Sequence, residues 1–321
     1  PHPRNGCTVS PRVISVGRIS VDLYAQEAHQ GFEAQQSFSK SVGGSPTNVA
    51  VATAQLGHSV ALVTKVGDDS FGDYVLDRLS GWNVDTSFIE KVPGAQTPLA
   101  FAALTPPETP TVMFYRGQAA PDTQLTPDDV PRAVIEEADI LWISQSSLAH
   151  GSTAEACVYW MGLRGPTQHT ILDLDYRPSL WPTEGHARAM AETAIARSTV
   201  VVGNAEECQV ALGVSEPHAA ADALLAAGVR LAIIKLGADG ALLATANERV
   251  TVAPKPVDVV CGLGAGDAFG GALCHGLLEE LELAQIGELA NAAGALVATQ
   301  LTCADAMPTR EQLHAEVEAM A

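Results

Sequence analysis

The most chemically suggestive stretch of the chain is CGLGAGDAFGGALCHGLL, residues 261–278. A β-like run over 251–260, interrupted by Pro254 and Pro256, leads into Gly264-Ala265-Gly266-Asp267, where a helix begins. Phe269, Leu273, Leu277 and Leu281 recur at helical spacing and predict a core-facing stripe. Gly264 and Gly266 leave backbone N–H groups open at the helix start, where the dipole favours an anion. Asp267 follows in the first turn. This arrangement fits phosphoryl transfer: the amides stabilise charge on the transferring group, and the carboxylate orients an attacking hydroxyl and accepts its proton. The structural alternative is an acidic first-turn residue that complements the dipole without any ligand.

A second cluster lies early, in GGSPTNVAVATAQLG at residues 43–57. Gly43-Gly44 permits close backbone approach to a ligand, Pro46 suits a first helical turn, and Ala50, Ala54 and Leu56 continue an apolar face. Asn48 could aim its amide at a substrate hydroxyl; an ordinary turn before a helix would use the same residues. Competing motifs fail on spacing. No GxxxxGK[ST] occurs, and a dinucleotide fingerprint would need Gly where Phe269 stands and would open the first βα unit. GGSPT around Ser45 lacks the final Gly of a GxSxG elbow.

Residues so far apart need a scaffold that gathers them, and the rest of the chain carries its pattern. Strand-like runs at 12–16, 59–64, 140–143, 170–174, 199–202, 231–235 and 241–244 alternate with helix-like segments. The latter fall at 45–56, 71–80, 152–161, 187–196, 219–227, 265–281 and 286–300. The alternation predicts an α/β, doubly wound, mostly parallel sheet covered on both faces. Two β-like stretches, 23–42 with QQSFSKSV and 98–116 with LAFAAL and TVMFYR, have no helix between their strands and predict a small antiparallel flap. There is no internal repeat or low-complexity linker. The expected organisation is one main domain over 11–321 with the flap as a lid, behind a disordered tail at 1 to about 10.

Composition narrows the function. Hydrophobic residues make up 47% of the 321 and charged ones 17%, enough for a large buried core. The net charge of −19 argues against nucleic acid or an anionic membrane as partner, and means that an anionic substrate needs dedicated local cations. The six cysteines (Cys7, Cys157, Cys208, Cys261, Cys274 and Cys303) contain no CxxC pair, and the nine histidines no HExxH. That spacing suits a reducing, cytoplasmic setting rather than a zinc or disulfide framework. No apolar run reaches membrane-spanning length, and the opening PHPRNGCTVS offers no stretch for a signal peptide.

In order along the chain, VGRISVD with Asp22, GG…N with Gly43, Gly44 and Asn48, NAEE with Asn204 and Glu207, and the late GAGD resemble the ribokinase-like (PfkB) carbohydrate kinases. The resemblance runs from about residue 12 to 310. It implies a doubly wound α/β domain with a β lid that uses ATP and Mg2+. It also implies that Asp267 is the catalytic base, that Gly264, Ala265 and Gly266 form its anion hole, and that Asp22, Gly43, Gly44 and Asn48 contact the substrate. Asn204 and Glu207 would lie near magnesium and phosphate, Glu207 acting on the metal through water. The same pair also reads as a capping box. KLGADG, with Lys235, Gly237 and Gly240, resembles the strand-turn that runs along ATP, though a surface turn would use the same glycines. Asn291 resembles the residue near the adenine.

Finer markers (SFSKSVGGSPTNVAVATAQLG, MFYRGQAAPDTQL, ILDLDYRPSLW, VVGNAEE and Leu263) resemble the branch that phosphorylates 5-dehydro-2-deoxygluconate in bacterial myo-inositol catabolism. A related branch acts on 2-keto-3-deoxygluconate and shares some of these elements. Both substrates are acids, which would give Arg116 and Arg177 the task of forked carboxylate recognition, with Lys40 a weaker candidate. A surface ion pair is the alternative for each arginine. Two departures stand out. Cys261, Gly262 and Leu263 replace the Asp-Thr-Thr of many relatives, so a monovalent-cation site built around that Asp lacks it here, and Thr302 stands where relatives often have Gly. Ribokinase, fructokinase or ketodeoxygluconate kinase activity stays open within the class. A catalytically inert sugar or nucleotide sensor stays open outside it, although a pure binder has no need of Asp267 beside an anion hole. Exposed β edges on the lid also suggest a homodimer formed through it.

Overall fold

The computed structural model describes residues 10–117 and 119–319. Of the tail expected at 1 to about 10, only Ser10 falls among the described residues, and Cys7 does not. The main sheet begins with β1 (Val13–Val16), after which β2 (Ser20–Ala25) and β3 (Phe38–Gly43) leave it. The helix α1 (Ser45–Gln55) returns the chain to β4 (Val60–Gly67), α2 (Ser70–Gly81) and β5 (Ile89–Val92). A second departure forms β6 (Leu99–Ala103) and β7 (Thr111–Tyr115). Next come α3 (Arg132–Glu137), β8 (Ile140–Ser144), α4 (Gly151–Gly162), β9 (His169–Asp173) and α5 (Glu184–Ile195). They are followed by β10 (Val200–Asn204), α6 (Ala205–Leu212), α7 (Pro217–Ala226) and β11 (Leu231–Lys235). β12 (Ala241–Ala244) and β13 (Arg249–Val252) complete the edge, and α8 (Ala265–Leu278), α9 (Leu283–Ala298) and α10 (Arg310–Glu318) end the chain.

The nine-stranded sheet runs β13-β12-β11-β10-β9-β8-β1-β4-β5 and is parallel except at β12 and β13. β1 pairs with β4 on one side and β8 on the other, in register Val13↔Val60 and Val13↔Ile140. The chain therefore winds one way from β1 and later the other way. In open α/β sheets the ligand crevice lies beyond the carboxyl ends of the strands at such a reversal.

Strand alternation divides the core in two. In β8, Ile140 and Trp142 enter one apolar cluster, while Leu141 and Ile143 enter the other. Val60 and Leu62 in β4 likewise oppose Ala61 and Val63. The first cluster draws on α1, α8 and α9, the second on α4, α5 and α7. α8 lies tightly on α1: a Cβ on Gly271 would stand 2.3 Å from Ala52 Cβ. That close approach brings the two glycine-led helix starts together.

Differences from the sequence expectations are local. The flap is a four-stranded sheet, β3-β2-β6-β7, but only its outer pairs are antiparallel. β2 and β6 run parallel, because each enters the lid from the same side of the main sheet. The β-like run expected over 251–260 is strand only to Val252, and prolines at 254 and 256, which donate no ladder hydrogen bond, continue it as coil. The helix expected over 265–281 ends at Leu278, where Glu280 turns into the left-handed region (φ 54). No helix in the described residues is long and apolar enough to cross a membrane.

Candidate active site

α8 begins at Gly264, whose φ of 82 is left-handed and whose missing Cβ would meet Cys303 Sγ at 2.6 Å. No side chain caps this helix, so its first-turn amides are left for another acceptor. A Cβ on Gly266 would meet only Lys235 Nζ, at 3.5 Å. The space above Gly266 is therefore open and edged by an ammonium group. Asp267, one residue on, accepts a hydrogen bond from Asn48 Nδ2 at 2.7 Å. Burial pushes its carboxyl up to about 6, against the Asn48 hydrogen bond and the Arg177 charge, which favour the ionised form. Asn48 Oδ1, on the facing helix start, is buried with no hydrogen-bond partner among the described residues, and Ser45 beside it favours the ionised Asp267. Buried polar atoms without partners mark a place where a ligand supplies them.

The carboxyl ends of the central strands add a charged network. Asp173 ends β9 and Asp175 follows it. Asp175 Oδ2 accepts from Arg18 Nη2 at 2.9 Å and from Ser146 Oγ at 2.7 Å, while Arg177 Nε lies 2.9 Å from Asp175 Oδ1. Burial raises Asp175, but the Arg177 and Arg18 guanidiniums outweigh it and hold the carboxyl well below its usual range. Asp173 goes the other way: burial pushes it up, only partly opposed by Lys235 Nζ at 3.7 Å, and its Oδ1 accepts no hydrogen bond among the described residues. Lys235 also lies 3.8 Å from Glu207 Oε2. Burial lowers its pKa, but Glu207 and Asp173 raise it further, so the ammonium stays charged.

Asn204 and Glu207 form the capping box that was one of their two expected readings, with Glu207 N–H donating to Asn204 Oδ1 at 2.9 Å and Asn204 N–H to Glu207 Oε2 at 2.8 Å. The same Glu207 carboxylate still faces Lys235. Gly237 and the buried Gly240 bound a turn after β11 that is exposed over 237–239, closed by Leu236 N–H donating to Gly240 O at 2.8 Å. Asn291 lies farther along α9 and donates to Ala253 O at 2.9 Å, tying down the coil after β13.

On the substrate side the close approach that Gly43 and Gly44 permit is to the protein itself. A Cβ on Gly43 would collide with the Asp22 carboxylate at 2.0 Å, and one on Gly44 (φ 99) with Arg18 O at 2.3 Å. The glycines seat Asp22 and Arg18 rather than leave an open cradle. Asp22 accepts from Ser20 Oγ at 2.6 Å and Tyr24 Oη at 3.2 Å, and burial raises its pKa. Arg116 is committed as well: Nη2 and Nη1 donate to Asp122 Oδ1 and Oδ2 at 2.6 and 3.1 Å in a buried pair, not a surface one. Clefts of about 570 and 790 Å³ flank it. Arg177 differs, because its side chain is 45% exposed and its terminal nitrogens have no partner among the described residues. Lys40 is stacked over the Tyr74 ring, its Nζ 3.8 Å from the centroid.

Where a cation site would need an acidic residue, Cys261 is packed with Tyr24, Ala102, Leu104 and Cys303 in a small apolar cluster. The loop there is bonded to the lid, Gly262 N–H donating to Pro107 O at 2.8 Å. Arg18, Ser45, Asp173 and Asp175 join the candidate site although sequence reading did not single them out for it. Their signal was an apolar run ending in alternating acids, ILDLD, and a lone arginine just beyond β1.

Three comparisons bear on this geometry. The family model described as pfkB family carbohydrate kinase matches residues 10–310. The chain is similar to 5-dehydro-2-deoxygluconokinase 2 of Bacillus cereus (strain ZK / E33L), with 32% identity over 317 residues covering 95% of this chain and 94% of the relative. Among solved structures it is similar to fructokinase from Vibrio cholerae O395 in its fructose-, ADP- and calcium-bound form (TM-score 0.84, 27% identity, 96% and 99% of the two chains). It is also similar to an uncharacterised sugar kinase from Pyrococcus horikoshii in complex with ATP (TM-score 0.80, 28% identity, 96% and 100%).

Proposed function

The chain belongs to the pfkB family of carbohydrate kinases and is a phosphotransferase acting on a sugar hydroxyl; from that premise we propose that it moves the γ-phosphoryl of ATP onto a hydroxyl of a sugar acid, 5-dehydro-2-deoxygluconate in the first instance. The observation that carries the reading is Asp267, held by Asn48 on an uncapped, glycine-opened helix start with Lys235 beside Gly266.

In this reading the acceptor hydroxyl lies against Asp267 and the γ-phosphoryl lies over the amides of Ala265, Gly266 and Asp267. The hydroxyl oxygen attacks phosphorus, the bond to the β–γ bridging oxygen breaks, and ADP leaves with that electron pair. The proton passes to an Asp267 oxygen. Asn48 keeps that carboxylate turned toward the hydroxyl, and Lys235 offsets charge on the transferring oxygens. Asp22 and Asn48 would contact the substrate, and the turn with Gly237 and Gly240, together with Asn291, would line the nucleotide. A magnesium ion fits the surplus of carboxylate at the strand ends, above all the Asp173 Oδ1 that accepts no hydrogen bond among the described residues; Asp173 and Glu207, the latter through water, would hold it. When bound it supplies charge neutralisation to the phosphates.

Acid specificity would rest on Arg177, the guanidinium with open donors beside Asp267, rather than on Arg116. The name of the Bacillus cereus relative supports the substrate, and the fructose-bound neighbour supports the sugar-kinase class. The apolar plug around Cys261 supports activity without a monovalent cation. Asp267→Asn should fold and bind ATP yet lose about 10²–10⁴ in kcat, the range for a positioned base. An Asn variant that keeps a third of the turnover would overturn the assignment.

A further inference from the structure

At the opposite end of α8 from Asp267, three donors from two parts of the chain converge. His58, in the turn after α1, points Nε2 at His275 Nδ1 across 2.8 Å, and Glu279 Oε1 stands 3.9 Å from the same Nε2. His275 and Glu279 are four residues apart, so they share one face of the helix end. One nitrogen or oxygen of each of the three lies within 4.8 Å of the others. We propose that His58, His275 and Glu279 form a binding site for a late first-row divalent metal ion, zinc foremost, separate from the kinase centre.

The donor chemistry selects that class. Two imidazoles and one carboxylate suit zinc and its neighbours, whereas magnesium and calcium take oxygen ligands. Both rings are buried, at 8% and 1% exposure. Zinc–nitrogen bonds of about 2.0–2.1 Å set tetrahedral donors about 3.3 Å apart, so the facing nitrogens need to part by only about half an ångström. Arg310 Nη2 lies 3.0 Å from Glu279 Oε1 and would steady the carboxylate as an outer partner, its charge offset by the carboxylate it holds. Arg12 also acts on His58, and the exposed His314 ring stands 5.8 Å from His275, within reach of the fourth position. Asp267 is eight residues from His275, about 12 Å along the helix axis, so the ion would brace the turn after α1 against the end of α8 and take no part in phosphoryl transfer.

The test uses the full chain stripped of metal, titrated with Zn2+ by calorimetry and with Co2+ by visible absorption. One ion should bind per chain, Zn2+ should raise Tm, and Mg2+ should not substitute. Glu279→Gln, partly exposed and outside the kinase machinery, should weaken Zn2+ binding at least about tenfold and leave Mg-ATP turnover unchanged. His275→Gln should do the same if it folds; Glu279→Gln decides the matter if it does not. Absence of saturable Zn2+ binding, or wild-type affinity in Glu279→Gln, would overturn the site.

Discussion

As the proposed base, Asp267 would combine two demands on one carboxyl group: proximity to a partly dry reaction centre and ionisation at working pH. With its carboxyl pushed up to about 6, kcat/KM should fall below about pH 6 with the slope of one proton, and a flat profile from pH 5 to 8 would show that Asp267 is not the titrating base. The folded-state value lies above the ordinary 3.8. The group's stability contribution is therefore fully present below 3.8 and is lost as pH rises through 6, since the folded chain binds the proton more tightly. Asp267→Asn should thus raise stability at neutral pH by about 1–3 kcal/mol while turnover collapses. A lower Tm in the variant would mean that the charge supports the fold. The two arginines part company at this scale. Arg177→Ala should cost about ten- to a hundredfold in kcat/KM for the acid, the worth of a charge-assisted contact, with KM for ATP unchanged. Arg116→Ala should instead destabilise by about 3–5 kcal/mol, because it leaves the buried Asp122 carboxylate with the Ile19 N–H but no countercharge. If Arg177→Ala kept full efficiency toward the acid, acid recognition would have to lie elsewhere. Sequence patterns made Asp267, Asn48 and Lys235 legible because each sits in a short motif at a strand or helix end. Arg18, Asp173 and Asp175 were not, since a lone charged residue beyond a strand has no local signature and only the parallel sheet brings the three together.

Among the elements, the lid links Asp22, the proposed substrate contact, to the loop before the proposed anion hole. Its inner face carries Tyr24, which donates to Asp22, and its β6–β7 connection holds the loop before α8 through Pro107. Ser41 on β3 bonds Asp305, which also pairs with Arg78 on α2, fixing the lid's base. Closure should therefore slow amide exchange over 23–42 and 98–116 when acid and a non-hydrolysable ATP analogue are both present, and unchanged exchange in both segments would contradict it. The outer face packs Phe101 edge-to-face with Phe38 and Tyr115, with centroids at 5.6 and 5.3 Å, and Tyr115 is 59% exposed. A second copy would cover this face; light scattering should give a dimer that Tyr115→Glu reduces to monomer. A wild-type monomer at micromolar concentration would end that idea. The central strands and long helices were legible as β-rich runs alternating with Ala/Leu-rich segments. α3 and α10 were not, being short or strongly polar, and the parallel β2–β6 pairing depends on two lid strands brought together from distant parts of the chain.

For the whole molecule, a net charge of −19 repels nucleotide and acid alike at long range, so binding must rely on a compact basic cluster. Lys235, Arg18 and Arg177 form that cluster at the carboxyl ends of the strands, outnumbered by Asp173, Asp175, Glu207 and Asp267. A divalent cation redresses the balance, and turnover should vanish in excess chelator and return with Mg2+. The fold class was readable as alternation, but the meeting of β1, β8, β9, β10 and β11 ends around α8 follows from winding order, which no single segment carries. The central claim is most directly tested by coupled ADP release across a panel of sugars and sugar acids with Mg-ATP. 5-Dehydro-2-deoxygluconate should give the highest kcat/KM, well above ribose and fructose; comparable values for the neutral sugars, or no release with any acid, would contradict it.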